Sequence, residues 1–292
     1  MNLIIRQLTN TDFASIAALI AKVNRHKEHN ITDLGTDPAE IEHFLRTDLL
    51  DLDADKGFWL AFADDQLVGV WGLDYDAAKG YLYSLGPYID HSEWKDVALS
   101  LWEKVERTIP ADTKEILYSV NARNENVINF AIERGFTLRV VGLLLKLTPA
   151  DFTPAEHGHI IELPDDAKPA FIALHDQLFP GTYYSGEDIL GRCDGVRKVF
   201  ANDPLTGYIY VEPRPDYSEA HLEFIGVHPD AQGQGLGKAL LSKAIDYVFS
   251  FPTIQELTLT VRENNPARHL YERVGFKVED IIHGYEKHLT ED

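Results

Sequence analysis

The stretch Val227-His228-Pro229-Asp230-Ala231-Gln232-Gly233-Gln234-Gly235-Leu236-Gly237-Lys238 has the residue types to hold an anion. An apolar strand end, a glycine-rich loop and the start of an amphipathic helix follow one another. Glycines let a backbone come close to a ligand, and the N–H groups at a helix start converge on negative charge. The natural guest is a phosphate or pyrophosphate. A Walker A loop does not fit, because Gly233 and Gly237 are too close and Ala239 offers magnesium no hydroxyl. A dinucleotide fingerprint needs GxGxxG, whereas Gly233, Gly235 and Gly237 are spaced GxGxG.

Two further groups could do chemistry. The strand before the loop carries His221 and Glu223, two residues apart. Strict alternation puts both on the same face as Ile225 and Val227. Downstream, Val261 to Phe276 carries Asn264, Ala267, Leu270-Tyr271 and Gly275-Phe276. A phenol such as that of Tyr271 can donate a proton. The twelve histidines show no HExxH or paired spacing, so no metal is expected.

Together these segments resemble the GCN5-related N-acetyltransferase (GNAT) superfamily. Gln232, Gly235 and Gly237 match its (Q/R)xxGx(G/A) loop, and Asn264 to Phe276 matches its NxxAxxLYxxxGF segment. The resemblance covers residues 158–292 well and reaches residues 1–148 only through an internal repeat. It implies an acyl-CoA-dependent enzyme with acetyl-CoA as acyl donor. The backbone amides of Gln232, Gly233, Gln234, Gly235, Leu236, Gly237 and Lys238 would hold the pyrophosphate, with the Lys238 ammonium nearby. Ile225 and Val227 would act through backbone groups on the acetyl carbonyl and the pantetheine arm. Asn264 would bind the cosubstrate or cap the helix at Pro266.

The resemblance also implies roles in chemistry. Tyr271 would be the general acid, and Glu223 or His221 the base or water relay. Phe179 to Asp188 falls in the family's variable region between its first two helices, which makes Tyr183, Tyr184 and Asp188 acceptor contacts. The expected reaction is direct attack by a primary amine of a small molecule or peptide in a ternary complex. Two alternatives remain open from the residues: a non-catalytic acyl-CoA-binding or regulatory module, and a structural scaffold that binds no coenzyme A.

The elements that must position these groups are legible in outline. Leu240, Leu241, Ala244, Ile245 and Val248 recur at helical spacing, which predicts a helix over Gly237–Phe249 with one buried face. Strands are expected at about 218–227 and over Glu256–Val261. The next helix should have Pro266 in its first turn and end before Gly275. The class is mixed α/β, with helices on a central, largely antiparallel sheet.

The chain also repeats itself. Tyr81–Asp90 lies over His221–Asp230 at an offset of 221 − 81 = 140, and the same offset carries Asn124 onto Asn264 and Gly135-Phe136 onto Gly275-Phe276. Upstream, Phe62–Gly69 lies over Phe200–Gly207 at 138. Two tandem GNAT-like domains follow: a degenerate copy at 1–148, a linker at 149–157 and the acetyltransferase domain at 158–292. In the first copy Ser92–Val97 replaces Gln232–Gly237 without a glycine, and Ala131 replaces Tyr271. Glu93 and Asp96 there would repel a pyrophosphate.

The chain has 292 residues and a formal net charge of −20, which disfavours nucleic acid and anionic membranes. One cysteine, Cys193, cannot form an internal disulfide, and no run of apolar residues is long enough to span a bilayer. With no signal peptide evident at the N-terminus, the expected location is cytoplasmic.

Overall fold

The computed structural model describes residues 2–153 and 157–289. Pro154, Ala155 and Glu156 of the expected linker lie outside the described residues. The chain divides into two compact units, Met1–Gly142 with Asp280–Asp292, and Leu143–Glu279.

The first unit contains β1 (Leu3–Gln7), α1 (Phe13–Asn24), α2 (Pro38–Thr47), α3 (Ala54–Gly57), β2 (Trp59–Ala63), β3 (Gln66–Asp76), β4 (Tyr81–Ile89), α4 (Trp94–Val105), β5 (Glu115–Asn121), α5 (Glu125–Glu133) and most of β6 (Thr137–Leu147). β1 to β4 form an antiparallel meander. β4 and β5 are parallel but pair only at Tyr81–Tyr83 with Glu115–Leu117. Helix α2 starts where Asp37 caps it, its Oδ1 accepting from Ala39 N at 2.7 Å and Glu40 N at 3.1 Å. Trp71, Trp102 and Phe130 stack in the core, with 5.1 Å between the Trp71 and Trp102 rings.

The second unit contains β7 (Ile160–Glu162), α6 (Lys168–Leu178), α7 (Gly186–Arg192), β8 (Lys198–Asn202), β9 (Gly207–Arg214), β10 (Glu219–Val227), α8 (Leu236–Phe249), β11 (Glu256–Arg262), α9 (Arg268–Val274) and the start of β12 (Lys277–His288). β7 to β10 are antiparallel. β10 and β11 are parallel and pair only at Glu219–His221 with Glu256–Thr258. Its sheet has a core on each face. Leu240, Leu241, Ala244, Ile245 and Val248 of α8 are all fully buried on one face, with Ile209, Val211 and Tyr271. Phe171, Tyr208, Tyr210 and Phe224 fill the other, under α6 and α7. Each such leucine, isoleucine or valine side chain contributes about 1.5–3 kcal/mol on burial.

The segment Asp280–His288, expected in the second domain, packs in the first unit. There Ile282–His288 pairs antiparallel with β5. Sequence order alone does not reveal this, because the pairing joins residues more than 150 positions apart.

Candidate functional site

Strand β10 ends at Val227, eight residues run from His228 to Gly235, and α8 begins at Leu236. Gly233 and Gly235 have φ of +75° and +85°. A Cβ added at either would meet nothing within 4 Å, so the backbone conformation, not crowding, calls for glycine. A side chain in this left-handed region costs about 1–2 kcal/mol. The loop is tied down by its own side chains: Gln232 Nε2 donates to Val227 O at 3.0 Å and Gln234 Nε2 to Asp230 O at 3.2 Å. The first turn of α8 has no acidic residue and carries Lys238. A cation there opposes the helix dipole unless an anion is also present. The first N–H groups of the helix have no intrahelical acceptor and face that same end. These features fit a pyrophosphate.

The acid–base candidates sit on the neighbouring strand, and here one expectation is corrected. Glu223 lies in a β-bulge, since the β9 register passes from Leu222↔Val211 to Phe224↔Tyr210. A bulge adds one residue and reverses the alternation beyond it. His221 faces Glu212 across the strands, whereas Ile225 and Val227 turn to the opposite side and pack beneath α8. The four residues do not share a face. The bulge therefore divides β10 into a polar side at His221 and Glu223 and a side facing α8 at Ile225 and Val227.

Glu223 Oε2 accepts the Tyr183 hydroxyl at 2.6 Å. Desolvation of the hydroxyl first, then the Glu223 charge, pushes the Tyr183 phenol above its ordinary range, although the residue as a whole is 52% exposed. The imidazole of His221 is engaged at both nitrogens, Nδ1 with Thr258 Oγ1 at 2.7 Å and Nε2 with Glu219 Oε1 at 3.2 Å. Tyr271, on α9, is 6% exposed, and burial pushes its phenol up to about 12. It stays protonated throughout the physiological range. Helix α9 meets the loop's helix closely, since a Cβ on Gly237 would lie 3.2 Å from Leu270 Cδ2.

Other expected residues have local structural partners. Asp188 closes a capping box at α7, its Oδ2 accepting from Ser185 N at 2.8 Å and Ser185 Oγ at 2.7 Å. Asn264 is exposed and does not cap α9, whose N-cap position is Ala267 with no side-chain cap; the neighbouring Asn265 Oδ1 accepts from Ala267 N at 2.9 Å. The helix starts at Arg268, so Pro266 precedes it rather than lying in its first turn. Tyr184 packs on Tyr183 with 4.6 Å between ring centroids.

Sequence reasoning missed three supports. Fully buried His175 donates from Nε2 to the Tyr184 carbonyl at 2.8 Å, its Nδ1 accepting the Tyr208 hydroxyl. Glu212, 5% exposed, accepts the Tyr210 hydroxyl at 2.6 Å beside His221. Arg192 lies over the Tyr184 ring at 4.0 Å. A histidine on the apolar face of α6 was the only available signal. The other two depend on strand register and loop folding.

The corresponding region of the first unit differs. Its strand β4 ends at Ile89 and α4 starts at Trp94, a gap of four residues instead of eight. The parallel strands β4 and β5 also part, but here Ile31 bridges to Val120 of β5. Thr32 N donates to Ser119 O at 3.3 Å and Asn121 N to Asn30 O at 3.2 Å. The far edge of β5 is already paired with Ile282–His288, so the Asn30–Thr32 segment lies on the edge facing β4. Among the described residues no such bridge occupies β11. Neither unit holds a cluster of metal-binding side chains among the described residues, and no helix is long and apolar enough to cross a membrane.

A strand end, a loop with two left-handed glycines and a helix start free of acidic side chains adjoin one another in the second unit. Residues 160–276 match the Acetyltransferase (GNAT) family. The chain is 40% identical over 88 residues to the ribosomal protein bS18 alanine N-acetyltransferase of Haemophilus influenzae, covering 30% of this chain and 58% of that protein. It thus spans less than two thirds of that relative. The fold is similar to a GCN5-related N-acetyltransferase from Sphaerobacter thermophilus, with a TM-score of 0.78 at 16% identity over 98% of this chain and 95% of the other. It is also similar to a tandem GNAT protein from the clavulanic acid biosynthesis pathway, with a TM-score of 0.73 at 16% identity over the whole of both chains. The GNAT fold therefore extends to both units.

Proposed function

We propose that the second unit is an acetyl-CoA-dependent N-acetyltransferase acting on a primary amine of a small molecule or peptide, with the first unit a degenerate copy that does not bind coenzyme A. The observation that carries this is the loop from His228 to Gly235, which opens onto the start of α8 with Lys238 and no acid in the first turn. The GNAT match over residues 160–276 supports the acyl donor. Acetyl-CoA supplies a thioester carbonyl and a thiolate leaving group.

The amides of Gly233 to Lys238 hold the pyrophosphate, and the Lys238 ammonium adds charge. Backbone groups at Ile225 and Val227 align the donor. Glu223 removes the proton that the attacking amine loses, directly or through a water, while Tyr183 fixes its carboxylate. His221, held between Thr258 and Glu219, orients that end of the strand. Tyr271 gives a hydrogen bond and then a proton to the departing sulfur. A phenol raised by burial is a weak acid in the resting site, so the transfer proceeds only as negative charge builds on that sulfur. The N–C bond forms as the C–S bond breaks, and both protons are accounted for.

The test is transfer and binding measured together. Tyr271→Phe and Glu223→Gln should keep acetyl-CoA affinity and lose turnover. Unchanged turnover in both would favour a non-catalytic acyl-CoA-binding module.

A further inference from the structure

We infer that the acceptor is a primary amine that also carries a carboxylate, with the amine against Glu223 and the carboxylate on Arg192. This rests on the acetyl-transfer reading above and names its substrate class. Four side chains form a continuous strip. Tyr183 donates to Glu223 at 2.6 Å, its ring lies 4.6 Å from that of Tyr184, and the Arg192 guanidinium sits 4.0 Å from the Tyr184 ring centre. A carboxylate thus touches one of two adjoining tyrosines and a guanidinium covers the other.

The strip is held in place. The Tyr184 carbonyl accepts from buried His175, and the Tyr183 ring packs 5.1 Å from Phe224. Helix α7, which ends at Arg192, is fastened at its start by the Ser185–Asp188 box and by Gly186 N donating to Asp176 Oδ1 at 2.8 Å. A Cβ on Gly186 would lie 2.6 Å from Ile172 Cα, so α6 and α7 touch there. Such anchoring presents a ligand with a preformed surface.

Arg192 is half-buried, and no described carboxylate pairs with it. The chain has 47 acidic and 27 basic residues, so a shortage of acids does not explain this. Nearby Arg197 pairs with Asp194, and Arg214 with Glu219. The end of α7 favours a cation, but that accounts for the charge and not for the planar fork stacked on a ring. A guanidinium backed by an aromatic face offers its edge to a carboxylate in a bidentate fork. At the other end, Glu223 and the tyrosine faces attract an ammonium group. A simple alkylamine satisfies one end only, and a diamine meets Arg192 with like charge.

The experiment is calorimetric titration of the full chain, loaded with coenzyme A, with 6-aminohexanoate, hexylamine and 1,6-diaminohexane. Acetyl transfer to the same three amines is followed in parallel. Wild type should bind 6-aminohexanoate most tightly. Arg192→Gln, its folding checked by thermal melting, should lower the ratio of 6-aminohexanoate to hexylamine affinity about tenfold. Preference for either other amine, no binding of 6-aminohexanoate, or an unchanged ratio in the variant overturns the inference. Arg192-dependent binding of 6-aminohexanoate with no transfer to any amine keeps the two-ended site for such a ligand and overturns the enzymatic reading, the amine then being a ligand and not an acceptor.

Discussion

The two units share a strand, a split and a helix, and they differ in what fills the space between them. β4 starts at Tyr81 and β10 at Glu219, an offset of 219 − 81 = 138. α4 starts at Trp94 and α8 at Leu236, an offset of 236 − 94 = 142. The second unit gains four residues between strand and helix, and its longer loop includes both left-handed glycines. In the first unit the shorter loop ends at Glu93, α4 carries Asp96 in its first turn, and the chain's own Asn30–Thr32 segment bridges the opened edge of β5. The same scaffold thus carries a glycine-bearing helix start free of acids in one unit and, in the other, a glycine-free start where Glu93, Asp96 and Glu133 line a cavity of about 430 Å³. Insertion length, helix-start charge and a loop bridge account for the difference, with the strand order conserved.

Breaking this comparison starts with its chemistry. Phe136 N donates to Ala131 O in one unit and Phe276 N to Tyr271 O in the other, so Ala131 and Tyr271 occupy equivalent positions. Tyr271→Phe should lower kcat about 100-fold with little change in acetyl-CoA affinity, read by steady-state kinetics. The strand offset makes Tyr83 the counterpart of His221, and Tyr83→Phe should leave turnover within about twofold, as a surface change away from the chemistry does. Glu223→Gln should lower kcat/KM about tenfold or more, because the amide keeps a partner for Tyr183 but takes no proton.

The equivalent glycines at the two helix ends give a smaller contrast. Gly275 has φ +115°, and a Cβ there would lie 2.6 Å from Asp151 O. Gly135 has φ +82° with nothing within 4 Å. Gly275→Ala should cost about 3 kcal/mol of stability and Gly135→Ala about 1, compared by chemical denaturation.

The smallest effect concerns a crowded carboxyl in the first unit. Desolvation by the surrounding protein, aided by the charge of Asp74, pushes the Asp33 carboxyl from 3.8 up to about 7, but the residue is exposed and solvent screens most of the energetic effect. The folded state then binds this proton more tightly than the unfolded state does. Stability falls as pH rises from about 4 to about 7, and the loss is complete above that. Asp33→Asn should therefore raise Tm relative to wild type at pH 8, and the difference should shrink as pH approaches 4.

Much of the second unit was legible because its signals are local. The apolar face of α8, the loop glycines and the Gly275-Phe276 helix end each depend on residues within a few positions of one another. The bulge at Glu223 was not legible, since both faces of β10 beyond it are covered, Phe224 packing on one side and Ile225 and Val227 on the other, so the reversed alternation shows no polar–apolar contrast. The 140-residue repeat offset hid two registers, 138 along the strand and 142 at the helix, because a gapless alignment averages over an insertion. The pairing of Ile282–His288 with β5 and the bridge from Ile31 to Val120 are long-range choices that short sequence patterns do not carry.

The central claim is that only the second unit binds the acyl donor. Calorimetric titration of acetyl-CoA into the full chain, beside Gly235→Glu, tests it directly. One site per chain, lost in the variant, is the predicted result; two sites, or a site that survives Gly235→Glu, would contradict the account.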